Sequence, residues 1–261
     1  MYKLHQKYRM KRAFTFLIFI FLLTGCQKSD SSRASDAHWA GNWMDEAVLT
    51  SMTRNKSLIG SPYLPMELIF KSGVDSVYIQ NGTFESGVNS IRRKSANELE
   101  VNLFGTDAPT YLKFQDDHIT FRDPRSGKDF TFVRIQGDVA DRETGSVMPN
   151  FLLKELLAGT YRVTGYHKTE KVATPLFTIY PNGQAKGLSA THVQLILGGD
   201  LQPNGMDGLA LIHKAEQTVR HFGWRMNGQQ LLLFYLLPAG KQGEKPVYLP
   251  GQVAFVLEKQ S

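Results

Sequence analysis

The sequence predicts an all-β protein of two tandem antiparallel up-and-down β-barrel-like units with few short helices. Three observations predict it. Short segments of alternating polarity recur at spacings of about 8–12 residues, each bounded by turn residues, a pattern of sandwiches and barrels. The two halves open and close on similar short words. A polar stretch without periodicity, Gly137 to Pro149, separates them.

The N-terminus comes first. Lys3, Lys7, Arg9, Lys11 and Arg12 precede an apolar run from Ala13 to Thr24. A run of that length is too short for a membrane span, which needs about 20 residues. It suits the h-region of a signal peptide, with Met1 or Met10 as the start. The run closes on Leu23-Thr24-Gly25-Cys26, which resembles the lipobox of bacterial lipoproteins. The resemblance implies a signal peptide over residues 1–25, cleavage after Gly25 and acylation of Cys26, the single Cys of the chain. Two buried acyl chains already anchor stably, each CH₂ adding about 0.8 kcal/mol. In that family an Asp after the Cys favours the inner membrane. Gln27 stands there, so the resemblance implies an outer-membrane anchor facing the periplasm, with surface exposure left open.

Five of the 30 Lys and Arg lie in the signal, which leaves 25 basic against 24 acidic residues. That near-neutral balance, with one short basic run at Arg92-Arg93-Lys94, excludes a nucleic-acid footprint. Residues 26–38, rich in Ser and Asp, bury too little to fold and form a flexible tether.

The first unit, 39–136, opens at Trp39-Ala40-Gly41-Asn42-Trp43. Strands follow at Met66–Phe70, Asp75–Gln80, Ser90–Lys94, Glu98–Leu103, Thr110–Phe114, His118–Arg122 and Phe130–Ile135. Residues 137–150 read as a linker, and Asn150 as the cap of a helix over Phe151–Ala158. The second unit, 151–261, carries strands at Leu176–Tyr180, Thr191–Leu197, Gly208–Lys214, Gln217–Met226 and Leu231–Leu237, with Pro181-Asn182-Gly183 as a hairpin turn. The run LLLFYLL does not alternate, so it reads as a strand buried on both faces.

Leu157-Ala158-Gly159-Thr160-Tyr161 repeats the pattern of residues 39–43. Phe130–Val133 has its counterpart in Val253–Val256, with an offset of 118 at the start and 123 at the end. This order predicts an internal duplication. Aligning Phe70 with Phe177 leaves about 11 extra residues in the first half, in the stretch that takes in Ser51 to Leu64. They read as a lid over a barrel mouth, a surface loop or a short helix against the barrel.

Gly41-Asn42-Trp43 before a β-meander resembles the lipocalin and calycin superfamily, and Gly159-Thr160-Tyr161 repeats it with Tyr for Trp. The resemblance implies a ligand-holding barrel. Its aromatic lining is expected from Trp43, Phe70, Tyr78, Tyr161, Tyr180 and Trp224, with Glu85 and Arg92 as polar groups. No catalytic residues, metal or cofactor are assigned. His167, His192, His213 and His221 lack close metal-ligand spacing, and Gly187 to Thr191 lacks the last Gly of a nucleophile elbow. The expected function is non-enzymatic. A lipid-anchored envelope protein would bind an apolar or amphipathic small molecule or an envelope partner. Structural docking on an outer-membrane protein complex, or a hydrolase with a dispersed site, stand as alternatives.

Overall fold

The structure is a computed structural model describing residues 37–61, 65–73, 75–82, 85–103, 108–137, 145–243 and 245–260. The signal, Cys26 and the tether as far as Asp36 lie outside these residues. No helix among the described residues is long and apolar enough to cross a membrane.

Two closed eight-stranded antiparallel barrels follow one another along the chain. The first runs β1 Gly41–Asp45, β2 Met66–Phe70, β3 Ser76–Asn81, β4 Ser86–Ser95, β5 Glu98–Val101, β6 Thr110–Gln115, β7 His118–Arg122 and β8 Asp129–Ile135. Each strand pairs with the next, and β1 closes on β8. The second runs β9 Gly159–Tyr166, β10 Leu176–Ile179, β11 Gln184–Gly187, β12 Ala190–Ile196, β13 Asp207–His213, β14 Thr218–Asn227, β15 Gln230–Gln242 and β16 Lys245–Lys259, with β9 closing on β16. The expected up-and-down architecture is therefore present twice. The sequence reading lacked β11, whose Gln184-Ala185-Lys186-Gly187 carries no apolar alternation, and gave of the long β16 only Val253–Val256.

The duplication extends to the closing strands. Trp43 lies opposite Arg134 in the first barrel, and Tyr161 opposite Lys259 in the second. Arg134 covers the Trp43 ring at 4.2 Å, and Lys259 lies 5.9 Å from the Tyr161 ring. Each aromatic donates to the carbonyl four residues back, Trp43 to Trp39 at 2.9 Å and Tyr161 to Leu157 at 2.7 Å. Gly41 and Gly159 have φ of 129° and 150°, and a Cβ on either would collide with that covering side chain. The dihedral is what requires glycine, since the covering Arg and Lys side chains are flexible enough to move aside. This register corrects two alignments. Leu68, not Phe70, is the counterpart of Phe177, so the first half carries nine extra residues rather than about 11. Phe132 matches Leu257 rather than Phe255, so the closing offset is 125 rather than 123.

The extra residues form α1, Glu46–Asn55. Asp45 caps it by accepting from Val48 N at 2.9 Å, and Val48 and Met52, four apart, form its buried stripe. α2 runs Met148–Leu156, three residues earlier than expected, and Asn150 lies within its first turn. Pro149 fits there because a first-turn N–H has no helical partner to lose. Glu67 of β2 also supplies the acceptor that a local cap would have given.

Two cores result. One fills the first barrel around Trp43, Leu68, Leu99, Leu112 and Phe132. The other fills the second barrel around Tyr161, Phe177, Phe222, Trp224 and Phe255, and continues through α2 to Met44, Val48, Met52 and Ile135 of the first. The barrels are therefore joined by buried apolar contact rather than by a linker alone. β15 departs from expectation: Leu231 and Leu233 are fully buried, Leu232 and Phe234 half-buried, and Leu237 exposed. A barrel wall has only one dry face. On the outside, Met206 packs against Gly223 beside Leu236 and covers part of the other.

Candidate functional site: a groove along the seam of the barrels

Past Leu236, β15 and β16 continue as a two-stranded ribbon, with Leu237 opposite Leu249 and Pro238 opposite Tyr248. The pairing shifts register at Leu233/Phe234 and Phe234/Leu236, just before the ribbon, and again at Pro238/Lys241 within it. The β12–β13 loop meets the ribbon, where Asn204 N donates to Tyr248 O at 2.8 Å. Between them and Ile59, just beyond α1, lies an open groove of about 460 Å³. It is lined by residues 199, 200 and 202–205 of the loop and Pro246, Val247 and Tyr248 of the ribbon. A smaller concavity of about 140 Å³ shares Ile59 and Gly205 and reaches Asp207, Trp224 and Arg225. Ile59, Leu201, Leu237 and Leu249, on the segments that wall the groove, are 40%, 39%, 53% and 42% exposed.

Asp207 fixes the wall contributed by the first barrel. Its carboxylate accepts from Ser57 Oγ at 2.6 Å and Leu58 N at 2.8 Å, so a strand of the second barrel holds the turn that carries Ile59. Burial pushes its carboxyl above the ordinary Asp value, against hydrogen bonds that pull it down. A carboxyl raised on folding binds its proton more tightly in the folded chain. Its contribution to stability is full below the unfolded pKa and is lost as pH rises through the folded one. The expected result is a wild-type unfolding midpoint that falls more steeply than that of Asp207→Asn between mildly acid and neutral pH. Equal slopes in urea titrations would contradict it.

The structure does not bring the eight expected lining residues together. Trp43 and Phe70 pack in the first core, Tyr161 and Trp224 in the second. Burial pushes the Tyr161 phenol up to about 12. Tyr78 lies under Lys71, whose Nζ is 4.2 Å from the ring centroid. Glu85, Arg92 and Tyr180 are exposed, with Glu85 bonded to Asn81 and Arg92 3.7 Å from Glu100. Of the eight, Trp224 alone lines a concavity described above. The groove residues carry weak sequence signals: Gly198-Gly199 and Pro203-Asn204-Gly205 are ordinary turn-forming residues, and Asp207 is a lone acidic residue before an apolar stretch.

No family model matches this chain, and no curated protein matches it.

Proposed function

We propose that this chain is a lipid-anchored protein of the bacterial cell envelope that holds an apolar loop of an envelope protein in the seam groove. The anchor rests on the lipobox resemblance at Leu23–Cys26. One observation carries the binding mode: exposed aliphatic residues concentrate on the three segments that wall the groove, while both barrel interiors are filled by side chains. Ile59, Pro203, Pro246 and Val247 offer an apolar segment its surface, and Asp200, Gln202 and Asn204 offer groups to orient it. Pro203 and Pro246 keep the walls stiff, which lowers the ordering cost of binding. Pro238, Pro246 and Pro250 remove donors from the ribbon. That disfavours strand addition and leaves side-chain docking as the mode.

Two variants test the two halves of the reading. Cys26→Ser is expected to move the protein from the membrane to the soluble fraction and to remove the N-terminal acyl mass. The double variant Ile59→Asp, Val247→Asp, both in the groove lining, is expected to stay membrane-bound and folded, but to lose more than tenfold of a crosslinked envelope protein. Val88→Asp, an exposed apolar site on β4, should retain that partner. If the double variant and Val88→Asp capture it equally, the groove is not the docking site.

A further inference from the structure

The first barrel carries a groove of its own, on its outer face. It is open, holds about 670 Å³ and is larger than the one at the seam. β6, β7 and β8 build it through the two-residue alternation of strands. Leu112, Ile119 and Phe132 point into the core, so Tyr111 and Lys113, Thr120 and Arg122, and Asp129 and Thr131 stand outside. Register sets these side chains in rows. Lys113, Thr120 and Thr131 lie opposite one another, and Arg122 lies opposite Asp129. Tyr111 lies opposite Glu100, which lies opposite Arg92 on its other side.

The β7–β8 turn adds a rim. Asp123 accepts from Arg125 N at 3.0 Å and from Ser126 Oγ at 2.7 Å, and Gly127 N donates to Asp123 O at 2.8 Å. The Ser126 hydroxyl, then the Arg125 N–H, hold the Asp123 carboxyl below the ordinary Asp value. The turn is therefore shaped before any ligand arrives, and less ordering is left to be done on binding.

The lining defines what fits. Its charges cancel, Lys113 and Arg122 against Asp123 and Asp129. Arg122 Nη1 donates to both carboxylate oxygens of Asp129, at 3.5 and 3.3 Å, and both side chains are exposed. An exposed pair of this kind contributes little to stability, so folding gives little reason for it. It does set N–H donors beside carboxylate lone pairs, with the Thr120 and Thr131 hydroxyls able to act as either. Tyr111 is 43% exposed and lends an apolar ring to this polar surface. Phe121 and Phe130, whose rings stack at 5.1 Å, also line the groove. An ionic ligand finds no net charge here, and a hydrocarbon finds too many polar groups. A pyranose suits both halves. Its hydroxyls need donors and acceptors side by side, and its C–H face packs on an aromatic ring.

We propose that the outer face of β6–β8 binds a neutral saccharide, with one sugar ring on Tyr111 and its hydroxyls held by Arg122 and Asp129. The volume lies within the range of about 300–1,000 Å³ of small-molecule sites. Because the groove is open, the ring belongs either to a free oligosaccharide or to a segment of a polysaccharide. This inference is independent of the seam groove and of the lipid anchor.

Calorimetry and amide shift mapping on the purified full chain test it, with cellotriose and triacetylchitotriose as probes. At least one is expected to bind saturably, with a Kd of about 1 mM, as suits an open site with few anchors. Its shifts are expected on β6–β8 and the turn between β7 and β8. Tyr111→Ala is expected to lose at least tenfold in affinity and Asp129→Ala several-fold, at an unchanged urea midpoint because both positions are exposed. Tyr166→Ala, at an exposed Tyr on β9, should bind as wild type does. The hexamers of the same sugars separate the two sources: equal affinity indicates a free oligosaccharide, and a gain of tenfold or more a polymer segment. No saturable binding of either probe overturns the proposal. So does a sulfated trisaccharide that binds more tightly than its neutral parent, an equal affinity in Tyr111→Ala and wild type, or a set of shifts outside β6–β8.

Discussion

Glu67→Ala is expected to destabilise the whole chain by about 1–3 kcal/mol for each buried donor left without its acceptor. Glu67 is fully buried on β2. Its carboxylate accepts from Asn42 Nδ2 at 2.7 Å, Val147 N at 3.0 Å, Met148 N at 3.4 Å and Ser146 Oγ. The alanine variant takes this acceptor from the Val147 and Met148 N–H groups, and an unsatisfied buried group costs about 1–3 kcal/mol. It also strips α2 of an acceptor at its N-terminus, where acceptors and negative charge are favoured. α2 carries Met148, Leu152, Leu153 and Leu156 into the shared core, so the loss reaches both barrels. Glu67→Gln keeps one acceptor oxygen and is expected to cost less. Burial raises the Glu67 carboxyl above its ordinary value, so its pH dependence has the same sign as that of Asp207. Urea unfolding at neutral pH decides. A shift under about 1 kcal/mol for the alanine variant, no more than one ordinary hydrogen bond, would remove Glu67 as the joint between the barrels.

Glu67 also marks where the sequence stops being informative. The barrels were legible because alternation and turn chemistry are local: Met66–Phe70 and Thr110–Phe114 announce strands from their own residues, and Gly41-Asn42-Trp43 with its echo at Gly159 announces the repeat. The joint was not. Asn42, Glu67 and Ser146 are far apart in sequence and each is an ordinary polar residue until the fold closes. The early start of α2 follows from the same long-range contact. α1 was readable in principle, since Asp45 precedes Val48 and Met52 at helical spacing, yet it competed with loop readings of the same stretch. Among the expected site residues, aromatic identity could not separate a lining residue from a core residue. Trp43 and Tyr161 are held by register and a covering cation, and neither partner is near in sequence. The groove on β6–β8 escaped for the opposite reason: Tyr111, Lys113, Thr120 and Arg122 supply the polar half of the alternation that announces the strands.

Trp43→Ala is the second large effect expected, about 3–5 kcal/mol for truncating a buried Trp, because the cavity left in a packed core collapses only in part. Trp43 is wholly buried, meets Phe114 edge-on at 5.9 Å and lies under Arg134. Removing the ring leaves the exposed Arg134 guanidinium without its aromatic surface, a contact worth about 0.5–1 kcal/mol. Arg134→Ala should therefore cost much less in the Trp43→Ala background than in wild type, and the double-mutant cycle reads that coupling directly. The corresponding cycle on Tyr161 and Lys259 should show weaker coupling, since the ammonium stands 5.9 Å from the ring. The continuous core through Met44, Val48, Met52 and α2 is expected to make the two barrels unfold together. Damage at Trp43 should accordingly lower the midpoint of a single transition, seen alike by fluorescence and by far-ultraviolet circular dichroism. Two separated transitions, with the second barrel melting at its wild-type midpoint, would show that the shared core does not couple them.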